Sequence, residues 1–107
     1  MPEEIDHRSV EQLPNGETWI EVTVLQRGSP VEGAEISVAR SVSGRALRFD
    51  LNGETDLNGT ARIQIENVAR AYCTIRAHAS DGQMLGEWNS VPVNKGNLHR
   101  LSYDLSP

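Results

Sequence analysis

Apolar and polar side chains alternate with a period of two from residue 18 onward. In the first such segment, Ile20, Val22 and Val24 fall on one face. Trp19 and Glu21 fall on the other face. Alternation of this kind is typical of a strand that buries one face and leaves the other in water. We therefore predict a strand here, with its aliphatic face directed into a core.

The same alternation recurs along the rest of the chain. The residues predicted to point inward are Ala34, Ile36, Val38, Ala61, Ile63, Ile65, Cys73, Ile75, Ala77, Leu101, Tyr103 and Leu105. Ala39 falls on an outward position of its strand. Shorter strands are expected near 46–49 and 83–88, which brings the total to about seven. Many short alternating strands separated by turns predict an all-β antiparallel sandwich.

Glycine, proline and asparagine mark the turns between these strands. Gly28 and Pro30 end the first strand, and Asp81-Gly82 indicates a later turn. Two Asn-Gly pairs lie six residues apart, and such pairs favour tight turns because both residues tolerate a positive φ. Asn52-Gly53 is predicted to form a hairpin tip, and Asn58-Gly59 a second turn that starts the next strand.

Residues 1–17 form a polar lead-in to the domain predicted over residues 18–107. Ser9 followed three residues later by Gln12 resembles a helix-capping pair, and Pro14 would end the helix. The sequence therefore predicts a short helix within the lead-in.

Three segments resemble a known group of domains. Residues 28–38, GSPVEGAEISV, are similar to the G-x-P-V-x-G-A-x-V-x-V opening of carboxypeptidase-regulatory-like, transthyretin-like and bacterial Ig-like domains of the invasin or collagen-adhesin B type. Residues 55–61, TDLNGTA, resemble their T-D-x-N-G-x-A turn, and residues 72–77 resemble the strand that follows. The resemblance implies an immunoglobulin-like (prealbumin-like) sandwich. It also implies the uses to which such modules are put, as spacers, adhesin segments and accessory domains beside enzymes.

Two activities of these families are not expected here. Some collagen-adhesin B domains form an isopeptide bond from a lysine on the first strand, whereas Lys95 is the only lysine of this chain. Transthyretin-like hydrolases carry a C-terminal Tyr-Arg-Gly-Ser motif, whereas this chain ends in residues 103–107, YDLSP. A small hydrolase of transthyretin-like fold is therefore the least favoured interpretation, and we expect no enzyme and no cofactor.

Charge and cysteine content restrict the partners and the compartment. The formal net charge is −5, and most of it lies in residues 1–17, so that the remainder is nearly neutral. Nucleic acids and anionic membranes select a surplus of Lys and Arg, so neither is expected as a partner. The first residues resemble no signal peptide, and no stretch is apolar enough to insert into a membrane. With Cys73 as the only cysteine, the chain is expected to be cytoplasmic or a fragment of an exported bacterial protein.

Metal-binding and catalytic patterns are weak. Asp50, Asn52, Glu54, Asp56 and Asn58 could present oxygen ligands to calcium, but the segment lacks the glycine and glutamate positions of an EF-hand. No Gly-x-Ser-x-Gly or His-Glu-x-x-His pattern occurs.

The ionisable side chains that could support catalysis are few. His78 and His99 are expected to be exposed on neighbouring strands, with His7 far from both. Cys73 is expected to be a buried small hydrophobe rather than a nucleophile.

Binding is the function that the sequence favours. Trp19, Tyr72 and Trp88 are candidates for an exposed ligand or partner surface, since exposed aromatics can stack on sugars or anchor a protein. Alternatively, Trp19 and Trp88 close the ends of the core. The first hypothesis is a non-catalytic module for protein–protein interaction or structural spacing, bound to a protein partner or to domains of its parent chain. The second is a carbohydrate-binding module that uses these aromatics.

Overall fold

A computed structural model of the chain describes residues 5–40, 48–66 and 70–105. These residues form nine strands and no helix. The strands are β1 (Ile5–Gln12), β2 (Trp19–Gln26), β3 (Ser29–Pro30), β4 (Glu35–Arg40), β5 (Phe49–Glu54), β6 (Thr60–Gln64), β7 (Arg70–His78), β8 (Met84–Asn94) and β9 (Asn97–Leu105). Among the described residues there is no helix that could span a membrane.

The strands form two sheets that pack face to face, which confirms the predicted all-β sandwich. One sheet has the order β1-β9-β2-β3, with β6 also paired to β2, and the other has the order β5-β4-β7-β8. Six of the nine strands overlap predicted ones, and β1 and β3 are additional. β5 shares only Phe49 with the strand predicted near 46–49 and otherwise covers the segment predicted to form a hairpin tip. Neighbouring strands are antiparallel except β2 and β9, which run parallel.

The predicted aliphatic faces meet between the sheets. The described residues that confirm the prediction, each no more than 4% exposed, are Ile20, Val22, Val24, Ala34, Ile36, Val38, Ala61, Ile63, Ile65, Cys73, Ile75, Ala77, Leu101 and Tyr103. The predicted inward position of Leu105 lies outside the described side chains, and residues 46 and 47 of the predicted third strand lie outside the described ranges.

The prediction for Ala39 is wrong, because this side chain is fully buried. The pairing of β4 with β5 shifts its register between Val38 and Ala39. Ala39 then lies opposite Phe49 on one side and Thr74 on the other. The methyl group of Ala39 is much smaller than the Phe49 side chain beside it and is therefore covered. Ala39 is thus buried at a position where the alternation predicts an exposed side chain.

The predicted helix in the lead-in is also wrong. Residues Ile5–Gln12 form β1, which pairs with β9 with one register shift between Ile5 and His7. The reason is tertiary: the edge of β9 offers backbone hydrogen-bonding groups to an extended chain, whereas a helix ended by Pro14 would be too short to be stable alone. The polar lead-in therefore contributes an edge strand to the five-stranded sheet.

Of the two predicted Asn-Gly turns, the second is confirmed and the first is wrong. Asn52-Gly53 lies inside β5, where Gly53 is opposite Ile36. A Cβ at Gly53 would lie only 3.1 Å from Cγ1 of Ile63, so glycine lets Ile63 of the other sheet pack closely against β5. Gly59 has a φ of +75° and forms the turn before β6.

The start of the first strand and the end of the last strand lie at the same end of the sandwich. Ile5 at the start of β1 is the register partner of Tyr103 near the end of β9. We call this the terminal end; it also holds the turns around Gly28, Gly59 and Gly82. The opposite end, which we call the far end, holds the turns at 13–18 and 95–96.

Candidate functional site

The three aromatic residues proposed from the sequence as a surface do not come together. Trp19 lies on the outer face of the five-stranded sheet, and Tyr72 on the outer face of the four-stranded sheet. Trp88 lies between the sheets and is only 7% exposed. A single platform of these aromatics, as a carbohydrate-binding surface would use, is therefore not formed.

Trp88 is part of the core, so its prediction as a surface residue is wrong. Its ring stacks on that of Tyr103 from the other sheet, with ring centroids 3.6 Å apart and planes 14° apart. The indole occupies the space above Gly86, where a Cβ would lie 2.6 Å from the ring. Trp88 therefore connects the two sheets, in agreement with the alternative that it closes the core.

Trp19 is half-buried at the far end of β2. Its Nε1 donates a hydrogen bond to Oε1 of Glu17 at 2.9 Å. Across the sheet, Trp19 is the register partner of Leu98 on β9 and of Gln64 on β6. This side chain is thus oriented by its neighbours, with part of the indole open to solvent.

Tyr72 is the accessible one of the three. It is 47% exposed and lies near the far end, opposite the exposed Pro92 of β8. Beside it, Oγ1 of Thr74 donates a hydrogen bond to Oδ1 of Asn89 at 3.2 Å. Tyr72 and Pro92 together present an exposed apolar, aromatic area on this face.

A second arrangement on the same face was not anticipated from the sequence. The Arg76 guanidinium lies 4.2 Å from the centre of the Phe49 ring and also binds the Glu87 carboxylate. These residues come from β5, β7 and β8, so only the register of three strands reveals their proximity. The contact links three strands at the middle of this face, four residues along β7 from Tyr72.

The residues considered as calcium ligands have structural roles. Asp50, Asn52 and Glu54 belong to β5. Oδ1 of Asp56 accepts hydrogen bonds from the backbone N–H groups of Asn58, at 2.9 Å, and Thr60, at 3.1 Å. Throughout the described residues, no group of three or more His, Cys, Asp and Glu side chains is placed to hold a metal ion.

The histidines do not assemble either. The expectation that His78 and His99 are exposed on neighbouring strands is wrong, because β7 and β9 belong to different sheets. His99 is 3% exposed, and its Nε2 accepts a hydrogen bond from the Asn94 N–H at 3.0 Å. The side chain of His7 lies outside the described part.

Cys73 behaves as the sequence predicts. Burial raises the pKa of its thiol from 9.0 to about 11, and the nearby Arg40 guanidinium opposes this only in part. Because the thiolate is the nucleophilic form, the thiol in this position is unreactive at neutral pH.

Comparison with known proteins gives a likeness of fold. No family model and no curated protein matches the chain. Among solved structures, the 9R-lipoxygenase from Cyanothece PCC8801 matches 95% of this chain with a TM-score of 0.56 and 15% identity. The match spans only 18% of the lipoxygenase chain. The major plantain pollen allergen Pla l 1 matches 84% of this chain and 91% of its own, with a TM-score of 0.51 and 13% identity.

Proposed function

We propose that the chain is a non-catalytic β-sandwich module that binds another protein through its far end. The observation that carries this proposal is the position of the two chain ends. The register of Ile5 with Tyr103 brings the start of β1 and the end of β9 together at the terminal end. A segment joined before Ile5 or after Leu105 would therefore connect to the sandwich at that end.

This geometry favours a presenting module over a linear spacer. A spacer lengthens a chain most when its two junctions lie at opposite ends, one strand length apart. A strand of nine residues, such as β9, spans about 30 Å. Here both junctions lie side by side, so the module would project sideways from a parent chain. A projecting module adds little length but leaves its far end accessible to a partner.

Tyr72 and Pro92 provide the contact area that such a partner would use. Tyrosine is enriched at the energetically important positions of protein interfaces because it buries a large apolar ring and keeps a polar hydroxyl. Tyr72 is 47% exposed and close to the far end, and Thr74, two residues further along β7 on the same face, is held by its hydrogen bond to Asn89. A tyrosine side chain has few rotatable bonds and therefore loses little conformational entropy on binding.

We also propose that the domain belongs with the carboxypeptidase-regulatory-like, transthyretin-like and bacterial Ig-like modules that it resembles. The two most specific motifs of the resemblance contact each other. The N–H of Gly33 donates to the carbonyl of Thr55 at 3.0 Å, and the N–H of Thr55 donates to the carbonyl of Ala34 at 2.9 Å. Motifs that depend on each other in this way support an immunoglobulin-like arrangement.

Photo-crosslinking from two matched positions tests the proposed function. Tyr72 and Leu57 are both exposed large apolar residues, at 47% and 75%, but Leu57 lies at the terminal end. A photoreactive phenylalanine analogue would be placed at each position and irradiated in cells of the source organism. We expect a discrete protein adduct from position 72, lost when Pro92 is changed to Asp, and none from position 57. Equal adducts from both positions, or none from position 72, would contradict the proposal.

A further inference from the structure

The strand β5 is an edge strand of the four-stranded sheet. Among the described residues it pairs with β4 alone. The N–H and C=O of Thr55, directly after β5, both hydrogen-bond to the backbone of Gly33 and Ala34, directly before β4. Backbone groups point to alternate sides along a strand, so those of Asn52 and Glu54 point away from β4. They form an open row of donors and acceptors along this edge.

The other edge strand of the same sheet is less suited to pairing. β8 contains Pro92, which has no N–H to donate, and its register with β7 shifts at two places. Proline and bulges are common features that protect a sheet edge. β5 contains no proline, and it pairs with β4 without a shift from Leu51 to Glu54. Of the two edges, β5 is therefore the more open to a further strand.

Unpaired carboxylates lie along the β5 edge. Glu54 is the register partner of Glu35, and both side chains are exposed. Neither forms an ion pair with a residue in the described part of the chain. Like charges on directly opposite residues repel each other, so this pair costs stability. The same charges discourage pairing of the edge with a second copy of the chain and attract a strand that carries Lys or Arg.

Two hollows border Glu54 and leave room for long side chains. On the outer face, a hollow of about 530 Å³ is lined by Glu35, Asn52, Glu54 and the turn after β7. A second hollow, of about 440 Å³, lies where β5 approaches β6, and its charged residues include Asp56 and Arg62. Each hollow has more carboxylates than basic groups. Both are therefore suited to cationic side chains.

We propose that the free edge of β5 binds an extended basic segment of another protein, which adds a fifth strand to this sheet. The added strand satisfies the open backbone groups. Adjacent strands lie about 4.8 Å apart, so Lys or Arg at alternate positions of the segment reaches the carboxylates of Glu54 and Glu35. Apolar residues between them cover Leu51, which is only partly buried against the core. A segment that alternates basic and apolar residues along the six positions of β5 is the partner that fits.

This edge is separate from the surface proposed at the far end. Tyr72 is on β7, two strands away from β5 across the sheet. In the other sheet, β6 is the strand beside β5, whereas β1 lies at the opposite edge. A segment joined to the start of β1 therefore begins on the side away from β5. Binding at β5 does not depend on binding at Tyr72.

A synthetic heptapeptide that alternates lysine and valine, Lys-Val-Lys-Val-Lys-Val-Lys, tests this edge. With a neutral dye attached, it should bind the wild-type chain in fluorescence anisotropy. The same peptide N-methylated at its five central residues keeps the charge but loses the N–H donors, and it should bind roughly tenfold more weakly or worse. A peptide with glutamate in place of lysine should not bind. Amide hydrogen exchange at Asn52 and Glu54 should slow when the basic peptide is bound.

Charge reversal at Glu54 tests the position of the segment. Glu54→Lys should weaken binding of the basic peptide by roughly tenfold, because it places a cation where the peptide lysines lie. Glu11→Lys is the matched control: Glu11 is an exposed acid on β1, and its reversal changes the net charge equally. It should leave the affinity within about twofold, since it lies beyond the range of direct contact. Circular dichroism should show that both variants remain folded.

Four results would overturn the proposal. They are failure of the basic peptide to bind the wild type, equal binding of the N-methylated peptide, slowed exchange outside β5 but not within it, and equal weakening by Glu54→Lys and Glu11→Lys. None of them changes the crosslinking expected at position 72.

Discussion

The Thr55 hydroxyl and the backbone of Ala34 form a hydrogen-bonded junction between two distant turns. Oγ1 of Thr55 accepts the N–H of Ala34 at 2.8 Å and donates to the carbonyl of Val31 at 2.6 Å. The backbone N–H of Thr55 donates in turn to the carbonyl of Ala34 at 2.9 Å. This junction fixes the start of β4 against the end of β5 and is almost completely buried.

Replacing Thr55 with valine should destabilise the domain by about 1–3 kcal/mol, because the Ala34 N–H and the Val31 carbonyl would lose a partner away from water. Urea denaturation of the purified variant measures the change. Thr60→Val is the control: its hydroxyl binds that of Thr23 at 2.9 Å in a partly exposed position, and its loss should cost less than about 0.5 kcal/mol. Equal losses in the two variants would show that the junction is unimportant.

Substitutions at Gly59 and Gly16 distinguish the cost of backbone strain from the cost of a steric clash. Both have a positive φ, +75° and +78°, but a Cβ at Gly59 would lie 2.6 Å from the Val24 carbonyl oxygen, whereas Gly16 has nothing within 4 Å. Gly16→Ala should cost roughly 1 kcal/mol from backbone strain. Gly59→Ala should cost several kcal/mol because β2 and the turn must separate. Thermal unfolding of the two variants compares them, and similar melting temperatures would refute the close approach.

The core faces were predictable because alternation is a local property. Residues such as Val22 and Ile75 are placed by their spacing alone, whatever the strands around them do. The turn at Asn58-Gly59 was predictable for the same reason. The turn predicted at Asn52-Gly53 was wrong because Gly53 makes room for Ile63 of the other sheet. No local sequence pattern reveals a contact between residues of different sheets.

The candidate site was less predictable than the core. Whether an aromatic on a strand is exposed depends on what lies across from it. Trp88 is buried because Gly86 leaves room for its indole and Tyr103 stacks on it. Tyr72 stays exposed on the opposite face of its sheet. Residues 5–12 form a strand only because they pair with the edge of β9.

Cys73 should make stability depend on pH in the alkaline range. Below pH 9 its thiol is neutral in both the folded and the unfolded chain. Between its ordinary pKa of 9.0 and its folded value of about 11, the unfolded chain loses the proton first. The unfolded state then binds fewer protons, so stability falls as pH rises, by on the order of 2 kcal/mol. Urea titrations at several pH values should show a smaller decline for Cys73→Ala, and parallel declines would contradict the assignment.

The hairpin between β2 and β3 can be improved by one substitution. Arg27 and Gly28 both have a positive φ, 53° and 79°, which is the pattern of a type I′ turn and favours Asn-Gly. Arg27→Asn should therefore raise the free energy of unfolding by about 0.5 kcal/mol. Arg27→Gln removes the same charge without tolerating this φ and should give no gain. A variant pair with equal stabilities would show that the turn does not adopt this conformation.

The distance between the chain ends tests most directly the claim that this module is held at one end and presents the other. Spin labels at Ile5→Cys and Asp104→Cys, in a Cys73→Ala background, should give a distance below about 20 Å by electron paramagnetic resonance, since paired Cα atoms lie ~5 Å apart. The pair Gln12→Cys and Asp104→Cys should be longer by roughly 20 Å, the length of β1. A first distance equal to or greater than the second would place the termini at opposite ends and contradict the account.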